Sequence, residues 1–171
     1  MDNRVTLLAI ENAAKATPDG YVLSVASALL WITPLLRESS WDAVRDFAPV
    51  TLVAVAPQVL VAHPSLPVNS VRELIALARA RPGELNYEHS GSGGASHLAA
   101  ELLKAMAGVK ITNVPYKGTG PAIAALMSGE VQMGFENTIG VIPLVKSGKL
   151  KALAVGTPQP SVLMPGDRKS T

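Results

Sequence analysis

Residues 85–108, LNYEHSGSGGASHLAAELLKAMAG, decide how this chain folds. Leu85-Asn86-Tyr87 reads as a short strand and Ser90 to Ala95 as a glycine- and serine-rich loop. Leu98, Leu102, Ala105 and Met106 then recur at helical spacing, which predicts a buried stripe, and Gly108 closes the helix. This is one strand–loop–helix unit. Two more follow. Lys110 to Val114 is the next strand, Tyr116-Lys117-Gly118-Thr119-Gly120 its loop, and Pro121 opens a helix that ends at Gly129. Val131, Met133 and Phe135 alternate with polar or small residues as a third strand. Glu136-Asn137-Thr138 is its loop, and a helix runs through Val145 to Gly148. Lys151 to Val155 is a further strand. Strands alternating with helices through short loops predict an α/β fold around a parallel sheet.

Upstream, Ser70 and Glu73 form a capping box before Val71, Leu74, Ile75 and Ala78, an amphipathic helix that stops at Arg81-Pro82-Gly83. Leu52–Ala56 and Val59–Ala62 are apolar, β-branched runs on either side of Pro57-Gln58 and predict two strand pieces. Leu8 to Ala16 predicts a short helix, and Tyr21 to Val25 a strand after the turn Pro18-Asp19-Gly20. The Pro-rich stretch after Gly156 has no periodic face to bury and predicts a loose tail.

The composition narrows the function. In 171 residues, 48% are hydrophobic and 16% charged, so the chain can bury a sizeable core. The net charge is only +2, with dispersed basic residues and 4% aromatics. That excludes the clustered basic footprint and stacking platforms of a nucleic-acid binder. With no cysteine, disulfides and thiolate chemistry are ruled out. His63, His89 and His97 lack metal-ligand spacing, so neither a metal nor a cofactor is called for. Trp31 and Trp41 read as core or rim packing. Pro34, Arg37 and Glu38 break the best apolar run, around Leu29–Leu36, well short of a membrane span. Met1-Asp2-Asn3-Arg4 lacks the pattern of a secretory signal, which predicts a cytoplasmic location for the chain as written.

In open parallel sheets, ligands bind beyond the carboxyl ends of the strands, where loops lead into helix N-termini. The loop Ser90, Gly91, Ser92, Gly93, Gly94, Ala95, Ser96 suits an anion, because glycines let backbone approach closely and the next helix offers unpaired N–H groups. His97, in the first helical turn, reads as bonding locally. Tyr116 places a phenol at a strand end. Lys117 reads equally as an exposed charge, and Asn137 as an Asx turn. Gly91, Gly93 and Ser96 also imitate G-x-G-x-x-G, so the alternative is an NADP-like nucleotide-binding oxidoreductase domain using this loop. The ribose-binding acid of that motif is missing, since Pro115-Tyr116-Lys117 stands at its place. G-x-S-x-G and Walker A patterns are absent, and no catalytic set emerges.

Taken together, Pro18-Asp19-Gly20-Tyr21, Asp46-Phe47-Ala48-Pro49-Val50, Ser65-Leu66-Pro67-Val68, Leu85-Asn86-Tyr87, Ser90-Gly91 with Ser96-His97-Leu98-Ala99-Ala100-Glu101, Val114-Pro115-Tyr116-Lys117-Gly118 and Gly148-Lys149-Leu150-Lys151-Ala152-Leu153-Ala154-Val155 show a family pattern. The chain resembles the tripartite tricarboxylate transporter receptors, or Bug proteins, which are extracytoplasmic solute-binding proteins. The resemblance implies a periplasmic-binding-protein type II, or Venus flytrap, fold. It implies a small organic acid such as a di- or tricarboxylate held in a cleft, delivery to membrane transporter subunits, no catalysis and a periplasmic location. Carried over, it implies ligand contacts from Ser27, from Ser90 to Ser96, from Tyr116, Lys117, Gly118 and Thr119, and from Asn137. Family members have a signal peptide, a first strand and a glycine-rich loop ahead of the position of Asn3-Arg4, and they continue well beyond Val155. The expectation is therefore a chain truncated at both ends: a partial first domain over 1–60, a second domain over 61–154, and a divergent, disordered tail over 155–171. A cleft with one wall is expected to bind weakly, and uncovered edges to invite oligomers.

Overall fold

The computed structural model describes residues 4–157. The chain divides into two compact units, the first ending at Val55 and the second beginning at Ala56. Gln58, Val59 and Leu60 thus belong with the second unit, which carries the sheet.

The first unit holds helix α1 (Arg4–Ala14) and helix α2 (Leu29–Leu36). Ile10, Leu30, Trp41 and Ala43 form its small core, with Leu7, Leu29 and Phe47 packed against it. The Trp41 indole donates to the Leu30 carbonyl at 3.1 Å, while Trp31 is half exposed. Tyr21–Val25 and Leu52–Ala56, expected as strands, form none. Tyr21, Leu23, Val25, Leu52, Val53 and Val55 are exposed. β-Branched composition favours a strand only where another strand supplies hydrogen bonds, and no strand of this unit lies beside them among the described residues.

The second unit runs β1 (Gln58–Ala62), α3 (Val71–Ala80), β2 (Asn86–His89), α4 (Ala95–Ala107), β3 (Thr112–Pro115), α5 (Thr119–Ser128), β4 (Met133–Asn137), α6 (Thr138–Lys146) and β5 (Lys151–Val155). The strand order is β3-β2-β4-β1-β5. The expected parallel pairing holds where β2 lies between β3 and β4. β1 departs from it, pairing antiparallel with both β4 and β5. Periodicity reports burial and not direction, so its run of Val59, Leu60, Val61 and Ala62, buried on both faces, gave no sign of the reversal. The result is a mixed sheet with four strands pointing one way.

Helices cover both faces. Leu60, Ala62, Leu74, Ala78, Tyr87, Ala100 and Met133 form the core on the α3 and α4 side. Val59, Val61, Ala125, Leu126, Val141 and Val155 form it on the α5 and α6 side. The Ser70 hydroxyl accepts from the Glu73 N–H at 3.2 Å, as the capping box predicts, but the Glu73 carboxylate reaches back to the Asn69 N–H instead of Ser70. α4 rotates relative to expectation. Ala100 is buried with Leu103 and Ala107 packed beside it, whereas Leu102 and Met106 are 60% and 80% exposed and Ala105 is exposed. An Ala- and Leu-rich helix carries two apolar stripes, and only packing selects between them.

The burial pattern makes a direct prediction for stability. Leu74→Ala removes a fully buried side chain and lowers unfolding free energy by about 2–5 kcal/mol in urea denaturation. Leu102→Ala changes it by less than about 0.5 kcal/mol.

Candidate functional site

Because β2, β3 and β4 run in one direction, their carboxyl ends share one edge of the sheet, and each leads into a helix there. That edge gathers Ser90 to Ser96, Tyr116 to Thr119 and Asn137, three of the four groups expected as ligand contacts. The Tyr116 N–H donates to the His89 carbonyl at 2.9 Å and joins the first two loops directly. The fourth, Ser27, belongs to the first unit, where its hydroxyl accepts from the Leu29 N–H at 3.4 Å beside the start of α2.

The glycine loop is held from within. The buried His89 accepts the Gly91 N–H on Nδ1 at 3.1 Å and pairs through Nε2 with Asn113 Oδ1 at 2.8 Å. An accepting Nδ1 leaves the proton on Nε2. His97 Nδ1 accepts the Gly93 N–H at 3.2 Å, and its ring lies 4.6 Å from that of His89. Burial, with His89 alongside, holds the His97 pKa below the usual imidazole value. The Gly94 N–H closes a turn onto the Gly91 carbonyl at 3.2 Å. Gly93 adopts φ +78°, a left-handed conformation that a side chain would strain. Three loop amides are thus bonded within the protein, and the N–H groups of the first turn of α4, at Ala95, Ser96 and His97, are those that the helix itself cannot satisfy.

The other loops add little charge. Lys117 and Thr119 are exposed, and Gly118, at φ +110°, precedes α5. The Tyr116 phenol, expected as a ligand donor, donates to Glu130 Oε1 at 2.9 Å. Burial and that carboxylate push its pKa up to about 12. Asn137 is no loop residue. It ends β4 and caps α6 without a side-chain bond to the helix, leaving its amide exposed. The Thr138 hydroxyl donates to the Pro57 carbonyl at 2.6 Å and ties this corner to the start of β1.

Directly beneath the loops lie two acids that periodicity did not single out. Glu88 is fully buried on β2, and neither of its carboxyl oxygens has a hydrogen-bond partner. Burial, followed by the Glu136 carboxylate on β4, raises its pKa to about 9. Burial also raises Glu136, against the pull of the Glu88 carboxyl and the Asn137 N–H. Gly134 pairs with Glu88 across the strands, and a Cβ at Gly134 would stand 1.8 Å from Glu88 Oε1. The signal in the sequence was an acid at the penultimate position of two strands, Glu88 and Glu136, with a glycine two residues before the second acid.

Among the described residues, no group of three or more acidic, histidine or cysteine side chains could hold a metal ion, and no helix is long and apolar enough to cross a membrane. The G-x-G-x-x-S spacing holds, but the Gly91 and Gly93 amides are bonded to His89 and His97 and form no phosphate cradle.

A match to the tripartite tricarboxylate transporter family receptor spans residues 2–166. The chain belongs to this receptor family. It is 37% identical to protein BugT of Bordetella pertussis over 152 residues, which cover 87% of this chain and 47% of BugT. The structure of an R. palustris protein, Rpa4515, solved with adipate, superposes with a TM-score of 0.80 at 36% identity, covering 95% of this chain and 59% of that one. MatC from Rhodopseudomonas palustris, solved with malate, gives 0.75 at 29%, covering 90% of this chain and 53% of MatC. The chain spans about half the length of the curated relatives it matches. The fold of this receptor family is that of periplasmic binding proteins, as expected.

The buried acid makes two predictions. In Gly134→Ala the new methyl displaces the Glu88 carboxyl and lowers the thermal midpoint, and adding Glu88→Ala to the same chain restores most of the loss. A pKa raised from 4.5 to about 9 means that Glu88 favours folding below pH 4.5, and that this contribution disappears as pH rises through 9. The stability of Glu88→Gln relative to the native chain, read by urea denaturation, therefore increases steadily across that window.

Proposed function

We propose that the edge formed by the β2–α4 loop, the β3–α5 loop and the β4–α6 junction binds a small di- or tricarboxylic acid as one face of a solute-capture site. The reading rests on one observation: three helices begin side by side at the carboxyl ends of three parallel strands. Their N-termini supply N–H donors and the positive ends of three macrodipoles. Ser90, Ser92 and Ser96 add hydroxyls, Lys117 an exposed cation, and Asn137 an amide. A rim of amides and hydroxyls with one cation suits a carboxylate, which needs donors. The adipate and malate in the related structures are acids of this kind. Ser27, on the first unit, is a further contact that the family resemblance implies. The wider role is capture of the acid in the periplasm for a tripartite tricarboxylate-type transporter, with binding and release and no covalent chemistry.

One face alone binds weakly, with a Kd on the order of millimolar. Titration of the isotope-labelled chain with adipate or malate shifts the backbone amides of residues 95–97, 118–119 and 137–138. Gly93→Val, which strains the loop, abolishes those shifts while the β1 amides stay in place. Saturating acid that leaves the rim amides unmoved refutes the reading.

A further inference from the structure

Glu88 and Glu136 are not among the expected ligand contacts, yet both are buried and the Glu88 carboxyl is packed directly against Gly134. Residues alternate across a strand, so Glu88, Gly134 and Glu136 lie on the α5 and α6 face, opposite Tyr87, Met133 and Phe135. Each acid sits one residue below a rim element: Glu88 below the His89 carbonyl that binds Tyr116, Glu136 below Asn137, whose N–H it engages. The missing side chain of Gly134 is what gives the Glu88 carboxyl its space. Two carboxylates cannot both stay ionised there, since neither Glu88 oxygen has a donor or a cation.

The groups packed around the pair offer no compensating charge. β1 and α5 contain no titratable side chain, and α6 carries only Lys146, exposed at its far end. β5 contributes Lys151, whose ammonium donates to the Leu66 carbonyl. Tyr116 feels Glu88 but already donates to Glu130, and His89 and His97 are engaged with Asn113 and the glycine loop.

We infer that Glu88 and Glu136 are positioning residues of the rim. They carry one proton between them at neutral pH, Glu88 as the neutral acid and Glu136 as the carboxylate, and that proton fixes the spacing of the β2 and β4 ends from which two ligand-facing elements spring. Loss of the proton sets two carboxylates against each other across neighbouring strands and pushes the Ser90 loop away from Asn137. The consequence for ligand uptake rests on the reading of the rim as a carboxylate site: binding weakens as the pair loses its proton.

The test follows the Glu88 and Glu136 carboxyl carbons and the Gly91, Gly93 and Thr138 amides by NMR across pH in the ligand-free chain, then measures adipate affinity across the same range. The expected result is a Glu88 carboxyl protonated through neutral pH, rim amides that move with the same midpoint, and adipate affinity that falls about tenfold as the proton leaves, an ordinary size for coupled sites. Glu88→Gln, a permanent stand-in for the neutral acid, keeps the low-pH affinity and loses its pH dependence. Glu88→Ala loses both. A Glu88 carboxyl that ionises in the ordinary glutamate range, or rim amides that ignore its titration, overturns the inference whether or not adipate binds. Linked carboxyl and amide titrations with a flat affinity profile overturn the coupling to ligand. Linked titrations in a chain that binds no acid uphold the positioning role and refute the proposed function instead.

Discussion

The arrangement of the rim depends on one ladder, in which β2 is hydrogen-bonded in parallel between β3 and β4. Parallel strands cannot be joined by tight hairpins, so each must be followed by a crossover. In this chain each crossover contains a helix. The ladder therefore brings three strand ends and three helix starts to one edge, and the Tyr116 N–H bonded to the His89 carbonyl locks two of the intervening segments together. Ser90, Gly118 and Asn137 are far apart in sequence and share that edge for this reason alone.

Rigidity at the rim comes from residues that face inward. His89 and His97 bind the Gly91 and Gly93 amides, so a loop whose composition suggests flexibility is held at two of its three glycines. The same bonds occupy those two amides, whereas the first-turn N–H groups of α4 have no partner within the helix. Tyr116 is likewise engaged within the protein, since its phenol donates to Glu130.

Below this layer the sheet interior holds two acids, Glu88 and Glu136, which face each other beside Gly134. Burying an acid without donors is costly unless it is neutral. The strands tolerate the pair because one member holds a proton, and this makes the protonation state a structural variable of the edge where β2 and β4 end.

Much of this protein was legible in its sequence. The bounds of β5 (Lys151–Val155), the stops of α3 and α4 at Arg81 and Gly108, and the α/β class follow from local chemistry: capping residues, left-handed glycines and period-2 apolar runs act within a few residues of themselves. The motif sequence from Pro18 to Val155 carried the receptor family for the same reason, because it is a linear pattern. Other features are pair properties, and a single segment does not contain its partner. Tyr21–Val25 and Leu52–Ala56 have strand composition but no neighbouring strand among the described residues, β1 took its antiparallel direction from β4 and β5, and α4 buried Ala100 and packed Leu103 beside it in place of Leu102 and Met106 because of the sheet it packs on. The Glu88–Glu136 pair, separated by the whole of α4, β3 and α5, likewise exists only once the tertiary structure sets β2 beside β4.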